Sequence, residues 1–512
     1  MSEGAVLDAG DVVGRDVVDD VADVVIVGSG AAGATAARVL VDAGLDVIVL
    51  EEGPDPRRHA LRSDMYTSMK RTWRGLGMQA AEGRAFTPVL QGRCVGGTTF
   101  VNGAIIHRMP EVVHRAWEAE HGLAGVLPYA ELERIWDTLD RELSVAPAPE
   151  EVLGENNRLL REGLHRLGVT GNEIRRNVRG CRGSAHCNQG CPTGAKQSMT
   201  VTYVPRAVAG GARVYAECEA TRVMVSGARA TGVVGRFASR GGARGPAMRA
   251  RARRAVLLAA SAIQTPLLLA ASGVGRRSGL VGARLQAHPG AGVVAVFDRP
   301  VRPWFGATQG YESTHYYAER MKFEAVGMPL EFAAARFPGV GPAGMRELGE
   351  HAHTAIWGVQ VRARAHGSVG RGLFGTRVRY DMTDDDLQVL RLGIRRLCEV
   401  GFAAGAREVW PGVHGVPEAI RSLDELAPLE RIPPDPRRFH CIMAHLFGTA
   451  VMGRHASTSV VAPSFETHEL AGLHVVDSSV FPTNLGVNPQ HTICSIAWLA
   501  AERLAGRRAH AS

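Results

Sequence analysis

The sequence predicts an α/β fold, and two observations support this prediction. An apolar run at Val24–Val27 is followed by a Gly-rich turn, an Ala-rich segment and a second apolar run at Val47–Leu50. Short apolar runs of this kind are typical of buried parallel strands, and an Ala-rich segment between them is typical of a helix. The chain also has 512 residues, which is enough for two domains or one elaborate domain.

The Gly-rich turn indicates a dinucleotide-binding loop, because Gly28, Gly30 and Gly33 match the pattern G-x-G-x-x-G. In that pattern the first glycine makes a tight turn, the second lets the backbone approach a pyrophosphate, and the third lets the helix pack on the strand. Glu51 follows the second strand, 18 residues after Gly33, which is about the spacing of an acid that binds a ribose hydroxyl. Glu52 is the alternative ligand, and strand alternation favours Glu51.

The predicted helix starts with Ala31 and Ala32 and runs to Leu40. The start of such a helix offers free N–H groups and a positive dipole end to the phosphates of a dinucleotide. We therefore predict a Rossmann-like nucleotide-binding domain that begins near the N-terminus.

Composition and charge are typical of a soluble enzyme. The chain is 45% hydrophobic, and no apolar run reaches 18 residues, so we expect no membrane span. The N-terminal residues are acidic and do not resemble a secretory signal, so we expect a cytoplasmic protein. The net charge is +8, but the arginines are scattered and predict no nucleic-acid partner. The densest basic run, 248–254, is interpreted as a solvated hairpin arm.

Four further segments resemble the motifs of the glucose–methanol–choline (GMC) oxidoreductases. Gln91–Ile106 resembles the family's second flavin-contacting loop, and Ser261–Gly275 resembles its second signature. Gly282–Gly290 resembles the continuation of that signature, and the segment that begins at Val475 resembles the closing motif. The segments occur in the family's order. Within the family, the chain resembles short bacterial members similar to fatty-alcohol oxidases and aminoglycoside oxidases.

The resemblance implies bound FAD and a two-domain fold. A discontinuous FAD-binding domain is expected to be joined by a substrate domain whose sheet covers the flavin. The expected ranges are 20–115, 195–298 and 436–508 for the FAD-binding domain, 116–194 and 299–435 for the substrate domain, and 1–19 for an N-terminal tail.

The resemblance also assigns cofactor-binding residues. Val223 matches a position that presents its backbone to adenine, and Asp477 matches an acid that faces the ribityl or phosphate part of FAD; a helix or turn cap is the alternative for Asp477. Some relatives attach FAD covalently through a histidine just before Asn102, but this position is Val101, so we expect non-covalent FAD. Besides the N-terminal unit, the assigned residues are Arg93, Gly96, Gly97, Thr98, Asn102, Gly103, Val223, Asp477, Asn488, Pro489 and Gln490.

The resemblance places the catalytic pair at His445 and Asn488. Alcohol oxidation needs a base for the hydroxyl proton, and a histidine can serve as that base near neutral pH. Asn488 would hydrogen-bond the substrate oxygen. The sequence Asn-Pro is also typical of a helix start, so we predict Asn488 at the N-cap and Pro489 at the first helical position. His491 is close in sequence and is the alternative base.

Three of the eight cysteines form a cluster whose role stays open. Cys181, Cys187 and Cys191 follow the spacing C-x5-C-x3-C-P, which can hold an iron–sulfur cluster. The same kind of segment also occurs in soluble relatives that resemble fatty-alcohol oxidases, where its role looks structural. We favour a structural or disulfide role over a metal site, with an iron–sulfur cluster or zinc as the alternatives.

The predicted function is FAD-dependent oxidation of an alcohol CH–OH group to an aldehyde or ketone, with oxygen or another electron acceptor. A sugar or aminoglycoside and an aliphatic primary alcohol are the candidate substrates. The alternative function is a lyase of the same family that uses FAD structurally. Aromatic and acidic side chains in the expected substrate domain would suit a sugar ring, but we favour the alternative that they form an ordinary strand core with an exposed acidic face. They are Trp304, Phe305, Tyr311, Tyr316, Tyr317, Phe323, Phe332 and Phe337, with Glu312, Glu319, Glu324 and Glu331.

Overall fold

The computed structural model describes residues 4–58, 64–239, 244–275, 278–334, 337–373 and 375–506. The ends of the predicted tail (1–3) and of the last FAD-binding segment (507–508) lie outside these ranges. Among the helices in these ranges, none combines the length and apolar character needed to cross a membrane.

Strands and helices both occur throughout these ranges. The strands are β1 Ala5–Leu7, β2 Val17–Val27, β3 Val47–Leu50, β4 Ala80–Ala81, β5 Thr87–Pro88, β6 Val145–Pro147, β7 Asn172–Glu173, β8 Arg175–Asn177, β9 Arg213–Tyr215, β10 Cys218–Ser226, β11 Arg229–Phe237, β12 Ala247–Leu258, β13 Gln286–Val296, β14 Tyr311–Ser313, β15 Met321–Ala325, β16 Thr354–Val361, β17 Ser368–Gly372, β18 Gly375–Arg379, β19 Glu408–Trp410, β20 Cys441–Phe447 and β21 Leu473–Val475. The helices are α1 Ala31–Asp42, α2 Met65–Thr72, α3 Glu111–Glu120, α4 Tyr129–Glu142, α5 Glu155–Arg166, α6 Tyr203–Ala209, α7 Ser261–Ala271, α8 Leu330–Ala333, α9 Pro342–Gly349, α10 Asp384–Ala403, α11 Ala427–Glu430 and α12 Gln490–Leu504.

The first sheet has the strand order β1-β9-β3-β2-β12-β11-β10, and β21 also pairs with β12. In this sheet β1, β9, β3, β2, β12 and β21 run parallel to one another. The pairs β12–β11 and β11–β10 are antiparallel. The predicted strand–turn–helix–strand unit is β2–α1–β3, and α1 packs against α12 from the far end of the chain. The predicted α/β class, α+β overall, is therefore confirmed.

The N-terminal residues differ from the predicted tail. β1 pairs with β9 at the edge of the first sheet, and β2 already begins at Val17. The guanidinium of Arg58 pairs with the carboxylates of Asp8 and Asp11, which ties the segment between the two strands to the domain. The basic run 248–254 lies within β12, where its exposed arginines Arg249 and Arg251 pair with Asp19. Their carboxylate partner belongs to the segment predicted as tail. β12 also pairs antiparallel with β11, so the interpretation of the basic run as a solvated hairpin arm is confirmed.

The second sheet is antiparallel, with the order β19-β13-β16-β15-β14-β7 and with β20 paired to β13. Helices α5 and α10 pack on this sheet and close its core. β13 and β20 belong to this sheet, although the sequence places them in the FAD-binding segments. Conversely, α3 and α4 bury their apolar faces in the core of the first sheet, although the sequence places most of them in the substrate domain. The boundaries shift because packing partners that are distant in sequence decide them.

Candidate active site

A cavity of about 670 Å³ is lined by residues of both sheets, within the range of sites for small molecules and cofactors. Most of the predicted site residues lie in its wall; they are Gly28, Gly30, Ala31, Ala32, Glu51, Glu52, Gly97, Thr98, Asn102, Gly103, His445, Asp477, Asn488, Pro489 and Gln490. Four predicted residues lie outside the wall, namely Gly33, Arg93, Gly96 and Val223. The fold thus brings together residues that are more than 450 positions apart in the chain.

The structure explains each of the three glycines of the first turn in a different way. Gly28 has a φ of +96°, and a Cβ there would lie 2.4 Å from the carbonyl oxygen of Ala259. A Cβ on Gly33 would lie 1.8 Å from the carbonyl oxygen of Gly28, so this glycine permits the helix to pack on the strand. A Cβ on Gly30, by contrast, would meet only the Cα of Gly97, at 3.9 Å. Gly30 therefore leaves open space beside the start of α1, where a pyrophosphate could approach the backbone.

The two adjacent glutamates have different surroundings. The Glu51 carboxylate accepts hydrogen bonds from the backbone N–H and the hydroxyl of Ser29 and from the backbone N–H of Gly53. Burial raises the pKa of Glu51 despite these bonds. Glu52 instead pairs with Arg74 and Arg93, and although burial opposes this, the two guanidinium groups hold the pKa of its carboxyl below the usual value. Arg93 is therefore a partner of Glu52.

The loop 96–103 contacts both the first turn and the C-terminal part of the chain. A Cβ on Gly96 would lie 2.1 Å from the Thr200 hydroxyl, so this glycine is required by packing. Asn102 donates from its amide to Oε1 of Gln490 at 2.8 Å. The Nε2 of Gln490 is buried in the cavity wall without a protein partner, and such an orphaned donor suits a polar cofactor. The residues present therefore fit a bound dinucleotide.

Asp477 and Val223 both make hydrogen bonds within the protein. The Asp477 carboxylate accepts from the N–H of Ser261, from the Thr265 hydroxyl and from the N–H of Ser479. It therefore caps the start of α7, which is the alternative interpretation of this residue. Asp477 also lies in the cavity wall. The N–H of Val223 donates to the Ser272 hydroxyl, and β10 reaches the cavity with residues 218–221 instead. The structure therefore does not place Val223 at the cavity.

His445 occupies an irregular position in β20. His288 of β13 pairs with Ala444 and Ala287 pairs with Leu446, so His445 is the extra residue of a β-bulge. Its φ is +56°, a left-handed conformation that is rare for a residue with a side chain. Bulges next to active sites turn a side chain out of the ladder, and strained backbone is concentrated at functional sites. Here the bulge directs the imidazole into the cavity wall.

Polar neighbours surround the His445 ring. Its Nε2 lies 3.3 Å from the amide nitrogen of Asn488, and its Nδ1 lies 3.3 Å from Nδ1 of His288. Burial lowers the pKa of His445 to about 3, and the positive charges of Lys322 and His107 act in the same direction. The imidazole is therefore neutral at physiological pH, as a proton acceptor must be.

The C-terminal helix starts later than the sequence predicts. α12 begins at Gln490, and Pro489 is its N-cap without a side-chain hydrogen bond. Asn488 therefore precedes the helix, and its amide is free to bind elsewhere: the oxygen accepts from Nζ of Lys322 at 2.7 Å, and the nitrogen faces His445. His491 lies outside the cavity wall, with its Nε2 2.9 Å from the Asp140 carboxylate.

The three clustered cysteines have separate partners. Cys187 accepts a hydrogen bond from Arg176, Cys191 contacts Thr193, and Cys181 accepts from the N–H of Gly183. None of the three forms a disulfide, so the disulfide interpretation is not supported. In the described ranges, no group of three or more His, Cys, Asp and Glu side chains is arranged to hold a metal ion. A structural role without an iron–sulfur cluster stays a prediction.

Sequence reasoning missed two groups that contact the predicted catalytic pair, namely His288 and Lys322. His288 lies within the segment 282–290, but its contact with His445 depends on the pairing of β13 with β20. Lys322 and Glu324 occupy alternate positions of one buried strand. Two opposite charges on one face of such a strand are the signal that could have marked them, because buried charges are paired or functional.

Comparison with known proteins agrees with this geometry. Two family models, both described as GMC oxidoreductase, match residues 22–290 and 363–497. An uncharacterised GMC-type oxidoreductase of Mycobacterium tuberculosis is 36% identical over 487 residues, which cover 94% of this chain and 75% of that protein. A long-chain-alcohol oxidase of Arabidopsis thaliana is 26% identical over 525 residues, covering 96% and 67%. The formate oxidase of Aspergillus oryzae has a TM-score of 0.72 at 17% identity, covering 96% of this chain and 99% of that one, and shows the same fold.

Proposed function

Because the chain belongs to the GMC oxidoreductase family, we propose that it oxidises the CH–OH group of an alcohol to an aldehyde or ketone, with His445 as the base. Membership of this family confirms the predicted family, fold and FAD cofactor. The observation that supports the finer proposal is the meeting of His445 and Asn488 in the wall of the cavity, with 3.3 Å between Nε2 and the amide nitrogen.

The residues that would hold FAD extend along the cavity wall. Gly30 and the first turn of α1 would receive the pyrophosphate, and the Glu51 carboxylate at the end of β3 would face a ribose hydroxyl. Gln490 would donate to the ring system through its amide N–H, which has no partner among the described residues. When bound, FAD supplies the acceptor for the hydride that leaves the substrate carbon.

The chain's own residues would handle the hydroxyl group. The Asn488 amide would donate to the substrate oxygen, and Nε2 of neutral His445 would accept the hydroxyl proton. The bulge at His445 and the segment before α12 place both groups on the same side of the cavity. Proton removal and the orientation of the substrate oxygen are therefore assigned to two neighbouring side chains.

The base role requires a particular tautomer of His445. Gly486 N–H donates to Nε2 of His288, so the proton of neutral His288 lies on Nδ1 and faces Nδ1 of His445. If Nδ1 of His445 accepts this hydrogen bond, the proton of neutral His445 must lie on its Nε2. The base form instead has a lone pair on Nε2. The base form thus loses one buried hydrogen bond, worth about 1–3 kcal/mol. This is less than the roughly 3–5 kcal/mol that corresponds to a 10²–10⁴-fold contribution of a general base.

The wall favours an aliphatic alcohol over a sugar. Of the aromatic side chains that the sequence suggested for a sugar ring, Phe332 lies in the cavity wall, next to Val326 and Met328, and Trp73 and Glu324 also lie in the wall. Trp304 and Phe305 are exposed at the surface. The similarity to a long-chain-alcohol oxidase supports the same substrate class.

The test is anaerobic mixing of the purified protein with a panel of alcohols. We expect aliphatic primary alcohols to bleach the flavin and to yield the matching aldehyde in a one-to-one ratio, with sugars and aminoglycosides slower. The acceptor can then be identified by reoxidation with oxygen or a quinone. If dithionite bleaches the flavin and no alcohol does, the redox proposal is contradicted and the lyase alternative gains support.

The pH dependence of flavin reduction should reflect the environment of His445. An exposed histidine titrates near about 6.5, but burial lowers the pKa of His445 to about 3. The base form is the neutral one, so it is lost only as the pH falls toward the lowered value. We expect the reduction rate at saturating alcohol to change less than about twofold between pH 8 and pH 5. A midpoint near the ordinary histidine value, with FAD still bound, would contradict this assignment.

A further inference from the structure

A buried lysine holds the amide of Asn488. Lys322 of β15 is fully buried, and its Nζ lies 2.8 Å from the Glu312 carboxylate, 2.9 Å from that of Glu324 and 2.7 Å from Oδ1 of Asn488. Lys322 is not part of the cavity wall. Any effect of this residue on the reaction must therefore pass through its contact with Asn488 or through the effect of its charge on His445.

The contacts of Lys322 leave its ammonium group little freedom. Although burial opposes the charge, the carboxylates of Glu312 and Glu324 raise the pKa of Lys322 above its ordinary value. An ammonium group has three N–H donors, and three acceptors surround it here. The carboxylates have further partners of their own, since His107 contacts Glu312 and Gln309 donates to Glu324. The position of Nζ is thus fixed from several sides.

The fixed ammonium decides which end of the Asn488 amide faces the substrate. The oxygen of an amide can accept from an ammonium, whereas its nitrogen can only donate. With the oxygen bound to Lys322, the NH₂ group is turned toward His445 and the cavity. If the amide were reversed, an acceptor would face the substrate oxygen, and two donors would meet at Lys322.

We propose that Lys322 is a positioning residue for alcohol oxidation, which keeps Asn488 as a hydrogen-bond donor to the substrate oxygen. This inference rests on the proposed function. The competing explanation is purely structural, because the contact also connects the second sheet with the segment before α12. Removing one partner of a buried ion pair destabilises a protein whatever the role of the pair, because the other charge is left unpaired, so stability measurements alone cannot separate the two explanations.

A double-mutant cycle separates them. The variants are Lys322→Met, Asn488→Ala and the two combined, each compared with the native protein for the rate of flavin reduction by the alcohol under anaerobic conditions. Loss of one well-placed donor typically slows a reaction by about 10²–10³-fold, and we expect this for Asn488→Ala. Lys322→Met should slow the native enzyme by about 10–10²-fold but should add less than about threefold to Asn488→Ala, because two residues that act as one unit are non-additive.

A companion variant is the control for an effect of Lys322→Met on folding. Lys322→Met with Glu312→Gln preserves the net charge of the lysine and its two glutamates, and it should behave like Lys322→Met in both backgrounds. The melting temperature and the FAD content of every variant report folding. Equal slowing in the native and the Asn488→Ala backgrounds would overturn the positioning role. A native rate for Lys322→Met, with Asn488→Ala still slow, would overturn it and leave the proposed function intact.

A readout without turnover keeps the inference testable even if no alcohol is oxidised. In protein with ¹⁵N-labelled histidine, the Nε2 signal of His445 reports the amide that faces it. Lys322→Met should shift this signal more in the native background than in the Asn488→Ala background. Equal shifts in the two backgrounds would contradict the inference, whereas failure of the native enzyme to be bleached by any alcohol would contradict only the proposed function.

Discussion

Replacing His445 with alanine should slow reduction of the flavin by the alcohol substrate by about 10²–10⁴-fold, the usual effect of losing a positioned general base. FAD should remain bound, because the residues of the first turn and of the loop 96–103 that line the cavity are distant from His445 in the chain and are not changed. The measurement is anaerobic stopped-flow absorbance at saturating alcohol, with the FAD-to-protein ratio determined on the same sample.

Two further variants make this result specific. His445→Gln retains an N–H donor and removes the base, so it should be as slow as His445→Ala; a rate near the native one would show that His445 acts as a hydrogen-bond donor. His414→Ala changes an exposed histidine outside the cavity wall and should leave the rate unchanged. If His445→Ala is reduced at the native rate, the base is another residue.

The nucleotide-binding unit could be predicted because its determinants are local. β3 has the predicted bounds Val47–Leu50, and α1 begins at the predicted Ala31. Gly33 is required by the carbonyl oxygen of Gly28 within the same short unit, and Gly28 by that of Ala259 directly after β12, whereas Gly30 leaves open space. A pattern of glycines and apolar residues therefore carries enough information to predict both the fold of the unit and its ligand class.

The environment of the proposed catalytic pair could not be predicted in the same way. His445 takes its strained conformation from the register between β13 and β20, and Asn488 takes its orientation from Lys322. The low pKa of His445 likewise arises from burial and from charges on other strands. These properties depend on pairings between segments more than 100 residues apart, which a single sequence does not reveal.

The second large effect is expected at Gly30. Its φ of −70° and ψ of −160° are open to any residue, and a Cβ there would meet only the Cα of Gly97 at 3.9 Å. Gly30→Val should therefore fold, with its side chain in the space that the pyrophosphate would occupy. Losing two charge-assisted hydrogen bonds, at about 1.5–3 kcal/mol each, would weaken FAD binding by about 10²–10⁴-fold. The measurement is the FAD-to-protein ratio after gel filtration, with far-UV circular dichroism as the check of folding.

Two other glycines provide the controls for Gly30→Val. Gly349 is exposed at the end of α9, and a Cβ there has no neighbour within 4 Å, so Gly349→Val should retain both fold and FAD. Gly33→Val should lose the fold itself, because its Cβ would lie 1.8 Å from the carbonyl oxygen of Gly28. If Gly30→Val folds and binds FAD as tightly as the native chain, the pyrophosphate does not lie beside Gly30. The cofactor would then have to enter the cavity in a different orientation, and the roles assigned to Glu51 and Gln490 would fail with it.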